Sequence, residues 1–436
     1  MTADTTDTTD STARTHDDGS ASGRQRQSFW VARGLVPEAG PRRTLALASF
    51  VRQVGNGLYL ISAAIFFTRS VGLSVTQVGL GMGVAAVVGL LAGVPIGQVA
   101  DRCGPRGTYL VTLSAEALAM ASLVLVHAFW LFVVVVALSQ VAAASSEAAR
   151  GPLIRGFAGP DPVRYRSYLR AIGNLAGGTS AIAAGVVVQL DTRAAYLALV
   201  LGNALSFAVS AAVVSRLPSL PPVKAPPGTS RWIALRDTPF VVVTVLDGIM
   251  SIQGYVLVFA LPLWIVDQSH APRWLVGASA VLNTGLVVLL QVKASRGIDS
   301  PSAAARAMLR SGVAFLIAMA LIATTAGMPG WLAAALIAVG VVVHTVGELW
   351  TSAATFELNF SLAPAHAQGQ YSGLFGLGPG LASAGAPSVL GLLCITWGAP
   401  GWLVMGAVFV VVGLAMPAVV GWAERTRLRY GVLAEP

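Results

Sequence analysis

Charge is what this chain has least of. Only 11% of its 436 residues are Asp, Glu, Lys or Arg, where a soluble domain carries about 25%. A protein of this size surrounded by water needs far more charged surface, so a soluble multidomain enzyme is excluded. Cysteine is almost as scarce. Cys103 and Cys394 are the only two, too few and too far apart for a disulfide framework. No cleavable leader is expected either: residues 1–28 carry Asp4, Asp7, Asp10, Asp17 and Asp18 among Ser and Thr, with no apolar stretch. That segment reads as a disordered, solvated tail. There is no Walker loop, nucleotide fingerprint, zinc-ligand spacing or serine-histidine-acid set. The expectation is therefore no cofactor, no metal and no enzymatic activity.

Apolar length is what the chain has instead. It is 55% hydrophobic, with a mean hydropathy of +0.72. A hydrocarbon core ~30 Å thick takes roughly 20 apolar helical residues per crossing. Twelve stretches of that length occur: 45–67, 75–99, 107–126, 129–149, 169–190 and 194–215, then 239–266, 274–293, 304–326, 331–357, 371–395 and 399–421. They are continuous rather than alternating, which favours helices over a barrel. The expected class is an all-α membrane protein. Segment 216–238, with five prolines, divides the stretches six and six and reads as a linker. The organisation expected is a tail over 1–43, a six-helix bundle over 44–215, the linker, a second bundle over 239–421 and a tail over 422–436.

The net charge of +9 does not point to nucleic acid, because the basic residues sit in the short gaps between apolar stretches. With the N-terminus inside, only Arg69, Arg193 and Arg273 fall in outer loops and Arg52 within a span, leaving 24 of the 28 cations on the inner side. That bias puts both termini in the cytoplasm, in a plasma or inner membrane. Tyr168, Gly173 and Gly177 in the fifth span recur as Tyr371, Gly376 and Gly380 in the eleventh. The echo agrees with transporters built from repeated halves.

Between spans two and three stands Gly97-Gln-Val-Ala-Asp101-Arg102-Cys-Gly104-Pro-Arg106. This resembles the signature loop of the major facilitator superfamily (MFS), with Pro105 at the first of its two basic positions. The resemblance implies two pseudo-symmetric six-helix bundles and a conformational latch at Gly97, Asp101, Arg102, Gly104 and Arg106. Gly97 would allow close helix approach. Asp101 would accept charge-assisted bonds from helix N-terminal amides or from arginines. The alternative is a topological charge cluster alone.

Ionisable side chains within the spans are expensive in lipid and should face a cavity or a partner. Asp247, ~12 Å into span seven by helical rise, and Glu348 in span ten are the expected proton-coupling acids. Carboxylates at these spans resemble those of the superfamily's proton-coupled exporters. The alternative is a structural ion pair. His344, one turn before Glu348, is expected to contact substrate or bond to Glu348, and Trp350 to stack on substrate. Arg52, Asn56 and Tyr59 lie on one face of span one, which the resemblance places at the central cavity; for Arg52 the alternative is snorkelling to the cytoplasm. Glu116 is expected at the periphery, Glu147 with Arg150 in a local salt bridge or gate, and Glu357 in solvent. Most of Trp264, Trp274, Trp331, Trp350, Trp397 and Trp402 should be interface anchors. Gly173, Gly177, Gly178 and Gly185 should allow close packing of span five, weakly resembling an antiporter motif whose Gly-Pro pair is missing here. The glycines and prolines of span eleven should make it kinkable.

The expected function is proton-coupled export of small amphiphilic compounds by alternating access. The alternative is an uptake carrier or uniporter for a specific metabolite, favoured by a cavity of paired charges. A sensor or a membrane-embedded enzyme would need a soluble domain or a catalytic cluster. The expected partners are a small-molecule substrate, protons and the lipid bilayer, with no nucleic acid and a monomeric chain.

Overall fold

A computed structural model describes residues 40–65, 67, 71–159, 162–190 and 192–430. The expected tail lies largely outside these residues. Within them the chain is helical, and the long segments follow the apolar stretches. The first six are α1 (Pro41–Ile65), α2 (Val75–Cys103), α3 (Pro105–Ser122), α4 (Phe129–Phe157), α5 (Pro162–Leu190) and α6 (Arg193–Val214). The second six are α7 (Thr238–Asp267), α8 (Leu275–Ala294), α9 (Pro301–Ala323), α10 (Gly330–Ser361), α11 (Ala365–Thr396) and α12 (Ala399–Thr426). Ten of the described helices meet the length and apolarity of a membrane span; α1 and α5 fall outside that group. Both carry arginines, and α5 opens with Arg164, Arg166 and Arg170 within its first turns.

The helices overrun the apolar stretches at the end where the α2–α3, α4–α5 and α10–α11 connections lie, here termed the basic end. α4 continues to Phe157, α5 begins at Pro162 and α10 continues to Ser361. Hydropathy detects only the lipid-embedded length, while helices project beyond it with charged ends. For the same reason the expected tail boundaries move. α1 already starts at Pro41, and beyond α12 a 3-10 turn, Arg427–Tyr430, buries Arg427. The linker is also partly built: a helical turn, Ile233–Arg236, seats Ile233 and Ala234 in the core.

Packing is the same in both halves. α1 packs on α5 and α6, α2 on α4, and α3 on α4 and α6; α7 packs on α11 and α12, α8 on α10, and α9 on α10 and α12. Each pair in the second half is the first-half pair advanced by six helices, which makes the bundles pseudo-symmetric. Between bundles, α2 and α4 meet α11, while α5 meets α8 and α10.

Irregularities sit in the second half. α7 passes through a 3-10 turn (Ile252–Tyr255) and a π turn (Val256–Ala260) before its last segment. Pro262 lies just beyond, where its missing N–H cannot serve the preceding turn. α11 breaks at Gly376 and ends in a π turn, Gly391–Thr396, after Pro387, as its composition implied. Of the glycines expected to pack α5 closely, Gly173 and Gly178 face open space, Gly177 lies in the α1–α5 approach with its Cα 3.8 Å from where a Cβ on Gly57 would stand, and the surroundings of Gly185 lie outside the described residues. The close α1–α5 approach uses Gly57, where a Cβ would come within 2.5 Å of the Ser180 side chain. Trp274, Trp331 and Trp397 are exposed, as anchors should be. Trp264 and Trp402 are not anchors: they are buried edge to face, ring centroids 5.6 Å apart, and the Trp264 indole donates to Thr325 at 2.9 Å.

Candidate functional site

A cavity of about 480 Å³ lies between the bundles, walled by α1, α2, α4, α10 and α11. Ala86, Gly89 and Gly93 of α2 and Ala143, Ala144 and Gly151 of α4 make the space; with so little side chain on these helices, two of them can flank one void. Arg52 and Asn56 line it from α1. Tyr59 has its backbone in α1, but its side chain lies outside the described residues.

Arg52 does not snorkel. It is 4% exposed and bridges two acids, with Nε 3.5 Å from Glu116 of α3 and Nη1 bonded to Glu147 of α4. Glu147 in turn takes Nη2 of Arg150 at 2.8 Å and its Nε at 3.2 Å. The result is a chain of alternating charge, Glu116–Arg52–Glu147–Arg150, running from the α3 side into the cavity. Glu116 is therefore not peripheral; it is 1% exposed behind Arg52. The Glu147 side chain is half exposed although it lies deep between helices, because it faces the cavity. A carboxylate on α3 has no local signature for this role. Its partner sits 64 residues away, and only the packing of α1, α3 and α4 around one axis brings them together.

The expected coupling acids occupy other positions, off the residues lining this cavity. Asp247 is fully buried between α7 and α10. Oδ1 accepts from the Thr355 hydroxyl at 2.6 Å, and Oδ2 has no hydrogen-bond partner among the described residues. Next to it, Gly248 meets Gly378 of α11 so closely that a Cβ would lie 2.8 Å from the Gly378 Cα. Glu348 stands where α5, α8 and α10 meet. It accepts from Asn283 Nδ2 at 2.9 Å and pairs with Arg170 of the opposite bundle at 4.0 Å. His344 is buried against Phe315, centroids 4.9 Å apart, and it is Asn283, not His344, that donates to Glu348. Trp350 packs on the core of the second bundle. Neither His344 nor Trp350 is among the residues lining the cavity.

Toward the basic end the cavity is closed. Gly97 faces Gly369 so tightly that a Cβ would lie 2.1 Å from the Gly369 carbonyl oxygen, and Gly93 meets Gly373 in the same manner one turn away. Only residues without side chains let two backbones meet like this. Asp101 caps the contact, accepting from the backbone N–H of Gly369 at 2.7 Å and of Gln370 at 3.0 Å. These are unpaired amides at the start of the α11 helix, where an anion is favoured. Gly104, at φ +99°, turns the chain from α2 into α3 in a conformation side chains resist. Arg106 donates to the Ser215 carbonyl, and Arg102 is exposed.

A second set of contacts was invisible in the sequence. The last carbonyls of any helix lack intrahelical donors. Around the end of α10 arginines reach such carbonyls and their neighbours. Arg155 of α4 donates to the carbonyls of Phe360 at 2.9 Å and Ala363 at 3.0 Å. Arg427 serves Leu362 at 2.6 Å while holding Asp237 at 2.7 Å. Arg166 of α5 donates to the Phe356 carbonyl at 3.0 Å and lies 3.5 Å from Glu357. Glu357 is thus buried, not solvated. In sequence these arginines register only as topological charge; that their forks reach carbonyls depends on where α10 stops.

Residues 45–387 match the family described as Major Facilitator Superfamily. Solved structures share the fold at low identity. A bacterial homologue of the iron transporter ferroportin, in an outward-facing state, is 15% identical, with a TM-score of 0.69 over 88% of this chain and 99% of that one. The human organic anion transporter MFSD10 (TETRAN) is 13% identical, with a TM-score of 0.58 over 86% and 98%. The proton:xylose symporter XylE is 11% identical, with a TM-score of 0.63 over 86% and 94%. No curated protein matches the sequence. With two six-helix halves around a shared cavity and most of its length inside the family match, the chain belongs to the Major Facilitator Superfamily.

Proposed function

We propose that the chain is a secondary active transporter that carries a small amphiphilic compound outward through the central cavity by alternating access, coupled to protons. One observation carries this: the cavity lies between the bundles, and its closure at the basic end is made of contacts that each join one bundle to the other. Rocking the bundles would break those contacts together and open the cavity to that side. The cavity suits an amphiphile. Ala, Gly, Leu90, Phe356 and Phe375 offer an apolar bed, and Arg52, Glu147 and Arg150 offer one charged strip. The basic end is taken as cytoplasmic on the cation bias, and the chain as a monomer in the cell membrane.

Glu348 is the better placed of the two proposed coupling acids. Its pairing with Arg170 crosses between bundles, so a proton on Glu348 would remove an attraction between the two halves. Asp247 bonds within its own bundle and would act through the α7–α11 glycine contact. Asp101 and its neighbours are proposed as the latch of the closed basic end.

The test is accumulation of a compound panel in cells with and without the chain, at two external pH values. Export lowers accumulation, more so with an inward proton gradient, and Glu348→Gln abolishes the dependence on that gradient. Gradient-driven transport that persists in Glu348→Gln removes the coupling assignment. A specific observation favours a second function, uptake of a defined metabolite: the charged strip is a set of matched pairs, more selective than a drug-binding surface needs. Raised accumulation of one compound in the same panel would decide for it.

A further inference from the structure

We propose that the compound this cavity binds carries an anionic group, such as a carboxylate, and that Glu147 is the built-in competitor the anion displaces from Arg150 and Arg52. The assignment rests on the carrier role proposed above and adds the substrate's charge and its docking point.

Three charged side chains line the cavity, and two are arginines: Arg52 and Arg150 against Glu147. The second carboxylate of the cluster, Glu116, lies behind Arg52 and is 1% exposed, so it balances charge without meeting the cavity. A ligand therefore meets Glu147 first, half exposed, with Arg150 partly exposed beside it and Arg52, 4% exposed, directly behind, so that two cations stand against one anion once Glu147 turns aside. That anion is already taken. One oxygen of Glu147 accepts from Arg52, and the other accepts both Nε and Nη2 of Arg150. An ammonium group arriving here would meet a carboxylate held by two guanidinium groups and two guanidinium charges beside it. A carboxylate would meet a planar fork of the kind that takes carboxylates through paired bonds.

Glu147 now fills that fork. Its side chain is half exposed to the cavity, so it can turn away without being pulled through packed atoms. Arg52, when released, still keeps Glu116 at 3.5 Å. The exchange swaps one carboxylate for another and leaves the count of ion pairs unchanged. The groups facing Glu147 are Arg52 of α1, Glu116 and the buried Tyr109 of α3, and Arg150 of α4. Around the rest of the cavity, α2, α10 and α11 contribute no ionisable side chain among the described residues; Asn359, Ser372 and Ser383 supply neutral polar groups there. The only carboxylate competing with a bound anion is thus Glu147 itself.

The test uses the purified full-length chain and a matched set: 4-phenylbutyrate, 4-phenylbutanol and 4-phenylbutylamine, with linear monocarboxylates from acetate to octanoate. Binding is read as ligand-dependent thermal stabilisation. At least one carboxylate stabilises the protein, and the matched alcohol and amine do not. Glu147→Gln removes the competitor and tightens the carboxylate at least tenfold. Arg150→Gln weakens it at least tenfold, and Arg150→Lys, which keeps the charge and loses the fork, weakens it less. Preference for the amine, weaker carboxylate binding in Glu147→Gln, or no binding by any carboxylate overturns the proposal. Should Glu147→Gln fail to fold, the order of Arg150→Gln and Arg150→Lys decides alone. Vesicle uptake separates the two levels. A carboxylate that binds but never crosses sinks the carrier role and leaves the anion site standing, whereas an amine or alcohol that crosses keeps the carrier and sinks the anion site.

Discussion

Single side chains hold the two features that matter most here, a neutralised charge chain and a closed end. Asp101 makes two hydrogen bonds to backbone amides of α11, and bonds of this charged type contribute about 1.5–3 kcal/mol each. Asp101→Asn keeps the shape but loses the charge, at a cost of about 2 kcal/mol to the closed basic end, or roughly a thirtyfold shift toward opening. The measurement is labelling of a cavity cysteine, Ala144→Cys, by a membrane-impermeant thiol reagent added from the basic side, in a background without the exposed Cys103. Unchanged labelling would show that Asp101 is not part of the latch. Glu116→Gln reports on the other feature. Arg52 would keep Glu147 but lose a buried counter-charge, and breaking such a pair costs about 3 kcal/mol. The expected result is a clearly lower midpoint of thermal unfolding for the purified variant, and an unchanged midpoint would mean that the pair contributes nothing.

Whole helices carry a different kind of information, and they show what could be read in advance. The apolar stretches coincide with the long helices, ten of which meet the length and apolarity that lipid demands, while α1 and α5 do not. The Gly97–Arg106 loop was legible for a related reason. Its glycine and the carboxylate of its acid meet backbone atoms of the partner helix, so the contact does not depend on which side chains the partner carries. Glu116, Arg155 and Arg166 were not legible. Each reaches a partner on another helix, tens to hundreds of residues away, and nothing local distinguishes a hidden pairing from a solvated one. Span-based counting likewise put Glu357 in water, since it cannot see α10 running on to Ser361. The α2–α11 contact yields the prediction at this scale. Gly97→Leu would place a branched side chain where a single Cβ already lies 2.1 Å from backbone oxygen. The two helices must separate, and the Ala144→Cys reporter should then label from the basic side far faster than in the parent. Slow labelling would mean that another contact carries the closure.

The molecule as a whole repeats one packing scheme twice, and the contacts between its halves follow the same rule: α2 with α11 mirrors α8 with α5. Both cross-bundle pairs are in contact in this structure. The cross-bundle hydrogen bonds among the described residues gather in the basic half, so this is the state with that end shut. Much of the shutting is done by guanidinium groups seated on carbonyl oxygens of Phe356, Phe360 and Ala363. Such groups are shielded from electrophiles while seated and bare once the halves part. An arginine-selective dicarbonyl such as phenylglyoxal should therefore act as a clock on the unmodified chain: adduct formation at Arg155 and Arg166, read by mass spectrometry, would accumulate in proportion to the time each molecule spends open, with no engineered probe at all.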